Sequence, residues 1–166
     1  FFFLILFYLT PLWVLFGLIV SKRRLPYLLS LIIGLVIPIT IGMVAYNGYT
    51  NAAKRNAIKT IHAQLMKYIS SEIQKCKIGE SKFMSNSQDC PATAVKTVTG
   101  AVNTMNDKNP YDTSRKAVRE SNSNTKNEDV GYISLSASGS SVLINTCVNT
   151  PCEKGENRLQ DIIETK

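Results

Sequence analysis

Residues 28–76 read LLSLIIGLVIPITIGMVAYNGYTNAAKRNAIKTIHAQLMKYISSEIQKC, and this stretch decides the fold. Residues 28–47 are almost wholly apolar, whereas the residues from 48 onward are polar and amphipathic. Only Gly48 interrupts the join between the two parts. The pattern predicts one long helix whose first part crosses a membrane and whose second part is the spine of a small domain.

The amphipathic part carries a single apolar stripe. From Thr50 to Cys76, large apolar side chains recur at steps of three and four residues, and the charged side chains fall mostly off this stripe. An amphipathic helix buries its apolar stripe against other elements, so a sheet or further helices must follow. The stripe consists of Ile58, Ile61, Leu65, Ile69, Ile73 and Cys76.

A second uncharged stretch precedes the long helix. Residues 1–20 hold no charged side chain and, as a helix, span about 30 Å, which matches the core of a bilayer. Residues 21–27 link the two apolar stretches and contain Lys22, Arg23 and Arg24, the only charges before residue 48. We expect a transmembrane hairpin of residues 1–20 and 28–47, with the basic turn in the cytoplasm and residues 48–166 outside it.

Four cysteines support an oxidising environment for the domain. Lys54, Arg55 and Lys59 lie just past the second span, so the distribution of basic residues does not decide the orientation of the chain in the membrane. The cysteines decide it instead. Four cysteines allow three pairings, of which the sequential one is the most economical. A zinc site is the alternative, but two of the cysteines are too far apart in sequence for the usual knuckle. We predict the disulfides Cys76–Cys90 and Cys147–Cys152.

The second half of the chain predicts an α+β domain. Residues 80–91 form a polar loop that closes at Cys90, and residues 92–105 favour a short helix. Residues 131–137 and 141–148 alternate in polarity around a Ser-Gly-Ser turn, which indicates a β-hairpin. Residues 158–165 favour an edge strand. The expected fold is therefore a long helix packed on a small antiparallel sheet.

Few residues in the sequence suggest a catalytic or metal-binding role. His62 lies beside the apolar stripe and is expected at the surface or boundary, and Ser123 and Lys126 form an S-x-x-K pattern in an Asn-rich loop that we attribute to chance. Three scattered acids do not specify the six to eight oxygens of a calcium site. We predict no enzyme activity, cofactor or metal, and the mild positive charge of residues 48–166 shows no clustering that predicts nucleic-acid binding. The three acids are Asp107, Asp112 and Asp129.

Residues 41–57, IGMVAYNGYTNAAKRNA, resemble the membrane-to-periplasm junction of type IV pilins and pseudopilins. The local likeness covers about residues 41–76, and the general layout covers the rest of the domain. It implies a structural protein of the bacterial inner membrane, with its domain in the periplasm or extracellular. It also implies a disulfide near the C-terminus, like Cys147–Cys152, and other pilin-like subunits or pilus and secretion assembly proteins as partners. Tyr46 and Tyr49 are then anchors at the membrane interface.

One segment departs from the family pattern. Prepilin-peptidase sites combine a basic leader, a small residue followed by Phe, and a Glu in the first helical turn. Here Leu25-Pro26-Tyr27-Leu28 follows the basic residues, and Tyr27 stands near the position of that Glu. Two interpretations therefore stay open: a subunit of a filament, or a permanently anchored extracytoplasmic binding domain that does not polymerise.

Overall fold

A computed structural model describes residues 24–166 of the chain. The chain is α+β, with a long helix and small sheets, as the sequence predicts. The described residues fall into two units, which divide after Thr50. The elements are α1 (Arg24–Lys77), β1 (Lys82–Phe83), β2 (Gln88–Asp89), α2 (Ala94–Thr104), β3 (Val118–Glu120), β4 (Ile133–Ser138), β5 (Ser141–Cys147) and β6 (Arg158–Glu164).

Helix α1 begins at Arg24, within the stretch expected to form a turn. Pro26 fits there because the first backbone N–H groups of a helix have no partner within the helix. At its other end, Gly79 has φ +94°, and the backbone N–H of Glu80 donates to the carbonyl of Lys75 over 3.0 Å. A glycine in the left-handed region just past the last turn is a common helix terminator, so the C-terminal end is set locally.

The main sheet has the strand order β3–β4–β5–β6. Strands β4, β5 and β6 are antiparallel, and Gly139, with φ +59°, lies in the turn between β4 and β5. The expectation of a purely antiparallel sheet is wrong in one respect, because β3 pairs with β4 in parallel. A strand of three residues is too short to show an alternating pattern, so the sequence did not reveal it.

One hydrophobic core joins α1, α2 and the inner face of the sheet. Four members of the predicted stripe are at most 3% exposed, and Ile61 and Cys76 pack beside them half-buried. Burying each large aliphatic side chain contributes about 1.5–3 kcal/mol, so the stripe dominates the attachment of α1 to the sheet. The stripe residues are Ile58, Leu65, Ile69 and Ile73, and their neighbours on the sheet are Ile133, Leu135, Val142 and Ile144.

A small hairpin fills the segment predicted to be a polar loop. Strands β1 and β2 pair in antiparallel fashion, and the hairpin inserts Phe83 and Met84 into the core with no exposed surface. Glu72 of α1 is nearly buried, and it accepts a hydrogen bond from the backbone N–H of Ser85 over 3.1 Å. Two apolar residues among polar neighbours produce no periodicity, so only tertiary packing identifies them as core.

Candidate functional site

The N-terminal part of α1 exposes apolar side chains. No charged residue lies between Arg24 and Lys54. The hydroxyl groups of Thr40 and Thr50 donate to carbonyls one turn back in the helix, over 2.9 and 3.0 Å. A helix with apolar side chains on most of its circumference needs a nonpolar environment. The side chains that are about half exposed or more are Ile33, Val36, Ile37, Ile39, Ile41, Met43, Val44, Tyr46 and Tyr49.

The structure describes the predicted span at residues 28–47 but not the one at residues 1–20. Within the described residues, no helix has both the length and the apolarity needed to cross a membrane. The predicted span at residues 1–20 and the basic residues Lys22 and Arg23 lie outside the described part of the chain. Tyr46 and Tyr49, the predicted interface residues, are 68% and 76% exposed. Their rings are therefore available to a second molecule.

Both predicted disulfides are present. Cys76 pairs with Cys90, and Cys147 pairs with Cys152, each with Cα atoms 5.5 Å apart. The first bond ties the end of α1 to the segment after the small hairpin. The second closes the loop between β5 and β6. The paired cysteines agree with an oxidising compartment for this domain.

His62 is buried, which corrects the expectation of a surface or boundary residue. Its side chain is 7% exposed, its Nδ1 lies 2.8 Å from Thr146 Oγ1, and its Nε2 lies 2.7 Å from Asp161 Oδ2. The correction arises because Thr146 of β5 and Asp161 of β6 both contact the His62 ring and cover it. The arrangement resembles a catalytic triad only in composition, because Thr146 is fully buried and its hydroxyl is closed to a substrate. The three residues link α1 to the sheet.

A shallow cleft of about 340 Å³ lies beside β3. Arg119 forms part of its wall, pairs with Asp129, and stacks over the ring of Tyr132 at 4.2 Å. The two residues of the S-x-x-K pattern line this cleft, but the hydroxyl of Ser123 hydrogen-bonds to Thr125 over 3.2 Å.

Two of the three acids weighed as calcium ligands are engaged in local contacts. Asp112 accepts from Ser114 and pairs with Arg115 at 3.3 Å, and the Ser114 hydrogen bond lowers the pKa of its carboxyl group. Asp129 pairs with Arg119. Among residues 24–166, no three His, Cys, Asp or Glu side chains converge in a way that would hold a metal ion.

The loop at residues 107–117 is held by hydrogen bonds that no local sequence pattern predicts. Buried Asn109 donates to the carbonyl of Val130 over 3.0 Å and accepts from the backbone N–H of Tyr111 over 2.8 Å. The Tyr111 hydroxyl donates to the carbonyl of Val148 over 2.8 Å, and burial raises its pKa. Lys54 Nζ lies 5.6 Å from the Tyr111 ring centroid. The loop therefore lies against the beginning of the helix within the domain.

Comparison of the chain with protein-family models, with curated proteins and with solved structures found no match.

Proposed function

We propose that this chain is a structural, membrane-anchored protein of the pilin-like kind, a subunit or accessory of a type IV pilus or a type II-like secretion filament. The observation that carries the proposal is the two-part character of α1. Its N-terminal part has no charged residue between Arg24 and Lys54 and exposes apolar side chains, whereas its C-terminal part packs into the core of a disulfide-linked domain. This division matches a helix that packs in lipid or among other helices at one end and carries a folded domain at the other.

The mechanism is structural. The exposed apolar side chains of residues 33–49 pack against lipid before assembly and against other copies of α1 in a filament. The domain, whose core is complete within residues 51–166, faces outward. The resemblance of residues 41–57 to a pilin junction supports this function, and the membrane anchor itself rests on the sequence of residues 1–47.

A permanently anchored binding domain is the second candidate. The segment Leu25–Leu28 lacks the junction that a prepilin peptidase cleaves, and the uncharged stretch at residues 1–20 would hold the chain in the bilayer. Withdrawing about twenty more apolar residues from lipid is costly, at about 1.5–3 kcal/mol for each large side chain. The cleft beside β3 would then be the place to look for a ligand.

The N-terminus and mass of the chain purified from membranes separate the two candidates. Loss of the residues before about Leu25 supports filament assembly, whereas retention of residues 1–20 supports the fixed anchor. If the chain is absent from the membrane fraction, or if the domain is protease-sensitive only from the cytoplasmic side, both candidates are wrong.

Photo-crosslinking tests the packing surface directly. A benzophenone amino acid at Met43, which is 60% exposed, should crosslink to a second copy of the chain in cells that assemble filaments. The matched control is Val95, an equally exposed apolar residue on α2 that should not crosslink. Crosslinks from Met43 to lipid alone would contradict a filament and favour the fixed anchor.

A further inference from the structure

The domain has a basic face that becomes visible only in three dimensions. Five basic and two acidic residues lie on two distant segments, which meet where Lys54 Nζ lies 5.6 Å from the centroid of the Tyr111 ring. They contribute a net +3 to a domain whose whole excess, over residues 51–166, is +4. We call this surface the basic face; its cations are Lys54, Arg55, Lys108, Arg115 and Lys116, and its acids are Asp107 and Asp112.

Tyr111 connects the two segments. Its ring lies 5.6 Å from Lys54 Nζ, and the positive charge of Arg55 acts on its hydroxyl. The loop on which it lies is closed at its base, where the backbone N–H of Ala117 donates to the carbonyl of Asp107 over 2.8 Å. A bridge between Lys108 and Lys116 places those two lysines opposite each other. The basic face is therefore part of an ordered surface.

One of the two acids is already neutralised. Arg115 pairs with Asp112 at 3.3 Å, and Ser114 also donates to that carboxyl group. Lys108, Arg115 and Lys116 are all exposed. With this pair discounted, four cations of the basic face remain against the one carboxylate of Asp107, which favours an anionic partner.

The short distance in sequence between the apolar part of α1 and the basic face indicates the chemical class of the anionic partner. Arg55 follows Tyr49 by six residues, which is about 9 Å along a helix, and the headgroup layer of a bilayer is about 5–8 Å thick on each side. We propose that the basic face binds the headgroups of anionic phospholipids. This inference rests on the proposed membrane anchor. It also explains why Lys54 and Arg55 lie on the extracytoplasmic side, where the positive-inside bias disfavours basic residues.

The test uses the full chain in nanodiscs of phosphatidylcholine alone or of phosphatidylcholine mixed equally with phosphatidylglycerol. Reaction of each lysine with an amine reagent is read by mass spectrometry. Labelling of Lys108 and Lys116 should fall several-fold in the anionic discs and recover in high salt, because the screening length shortens from about 8 Å at 0.15 M to about 3 Å at 1 M. Lys82 and Lys154, which lie elsewhere on the domain and are exposed, are internal controls.

Two variants sharpen the result. Arg115→Gln removes one cation of the basic face without touching the reporter lysines, and it should weaken their protection. Lys154→Gln, a matched loss of charge elsewhere, should leave it unchanged.

The outcomes are distinct. Equal labelling in both kinds of disc, with the chain inserted, would overturn the lipid inference and leave the anchor intact. A chain that does not insert in either disc overturns the anchor and this inference together. If duplex DNA protects Lys108 and Lys116 from labelling in neutral discs, and anionic lipid does not, then the basic face binds nucleic acid instead.

Discussion

His62 Nε2 on α1 lies 2.7 Å from Asp161 Oδ2 on β6, across 99 residues of sequence. The other ring nitrogen of His62 contacts the hydroxyl of Thr146, which is wholly buried. A single side chain thus connects the long helix to two adjacent strands. It makes the packing of α1 on the sheet specific as well as hydrophobic.

Replacing His62 tests this link. His62→Ala should lower the free energy of unfolding by about 2–3 kcal/mol, because it leaves the buried Thr146 hydroxyl without a partner. Asp161→Asn is the matched control, and it should cost less than about 1 kcal/mol, because the half-exposed amide can still hydrogen-bond to the ring or to water. The Asp161 side chain is 46% exposed. Urea unfolding in detergent, followed by near-ultraviolet circular dichroism, measures the free energy of unfolding of both variants. Equal decreases would show that the Thr146 hydroxyl does not need His62 as its hydrogen-bond partner.

The two disulfides should contribute unequally. The bond Cys76–Cys90 spans 14 residues, whereas Cys147–Cys152 spans 5. In the chain-entropy model these loops give about 3 and about 2 kcal/mol, because the longer loop restricts the unfolded chain more. Urea unfolding of the paired variants Cys76→Ala/Cys90→Ala and Cys147→Ala/Cys152→Ala gives the comparison. A larger loss from the second pair would mean that its native contacts outweigh the loop entropy.

Gly100 is required for the contact between α2 and the small hairpin. A Cβ atom at Gly100 would lie 2.5 Å from Met84 Cγ and 2.6 Å from Met84 Cβ, and Met84 is fully buried. Gly100→Ala should therefore destabilise the domain by about 1–3 kcal/mol through overpacking. Gly155→Ala is the control, because nothing lies within 4 Å of its Cβ position. A thermal midpoint for Gly100→Ala equal to that of the control would show that the hairpin moves aside freely.

Asp112 should titrate below the ordinary carboxyl value of 3.8, chiefly because the Ser114 hydroxyl donates to it. Since folding lowers this pKa, the carboxylate stabilises the loop above pH 3.8, and that stabilisation is lost as the pH falls through the lower folded value. Ser114→Ala should raise the pKa toward the ordinary value. Ser87→Ala, which removes a hydroxyl bonded to the Met84 carbonyl, should not change it. The carboxyl carbon shift of Asp112 in an NMR pH titration follows both variants, and an unshifted Ser114→Ala curve would contradict this cause.

Local patterns predicted much of the fold. The apolar steps of α1, the alternation of β4 and β5, and the cysteine spacing each depend on residues close in sequence, and the structure contains the corresponding helix, hairpin and disulfides. The position of α2 at residues 94–104 likewise lies within the predicted 92–105. These features follow from backbone periodicity and loop closure, which neighbouring residues determine.

Tertiary structure alone decided the environment of single residues. The sequence placed His62 at a boundary, but β5 and β6 cover it; it placed Phe83 in a polar loop, but the core encloses it. The basic face also joins Lys54 to the loop of Tyr111, more than fifty residues away. Burial and charge density depend on which distant segments meet, and no periodicity within one segment records that meeting. The sequence by itself therefore determined the long helix with its apolar and amphipathic parts. Packing determined which of its side chains connect to the sheet, which are buried in the core and which form a charged surface.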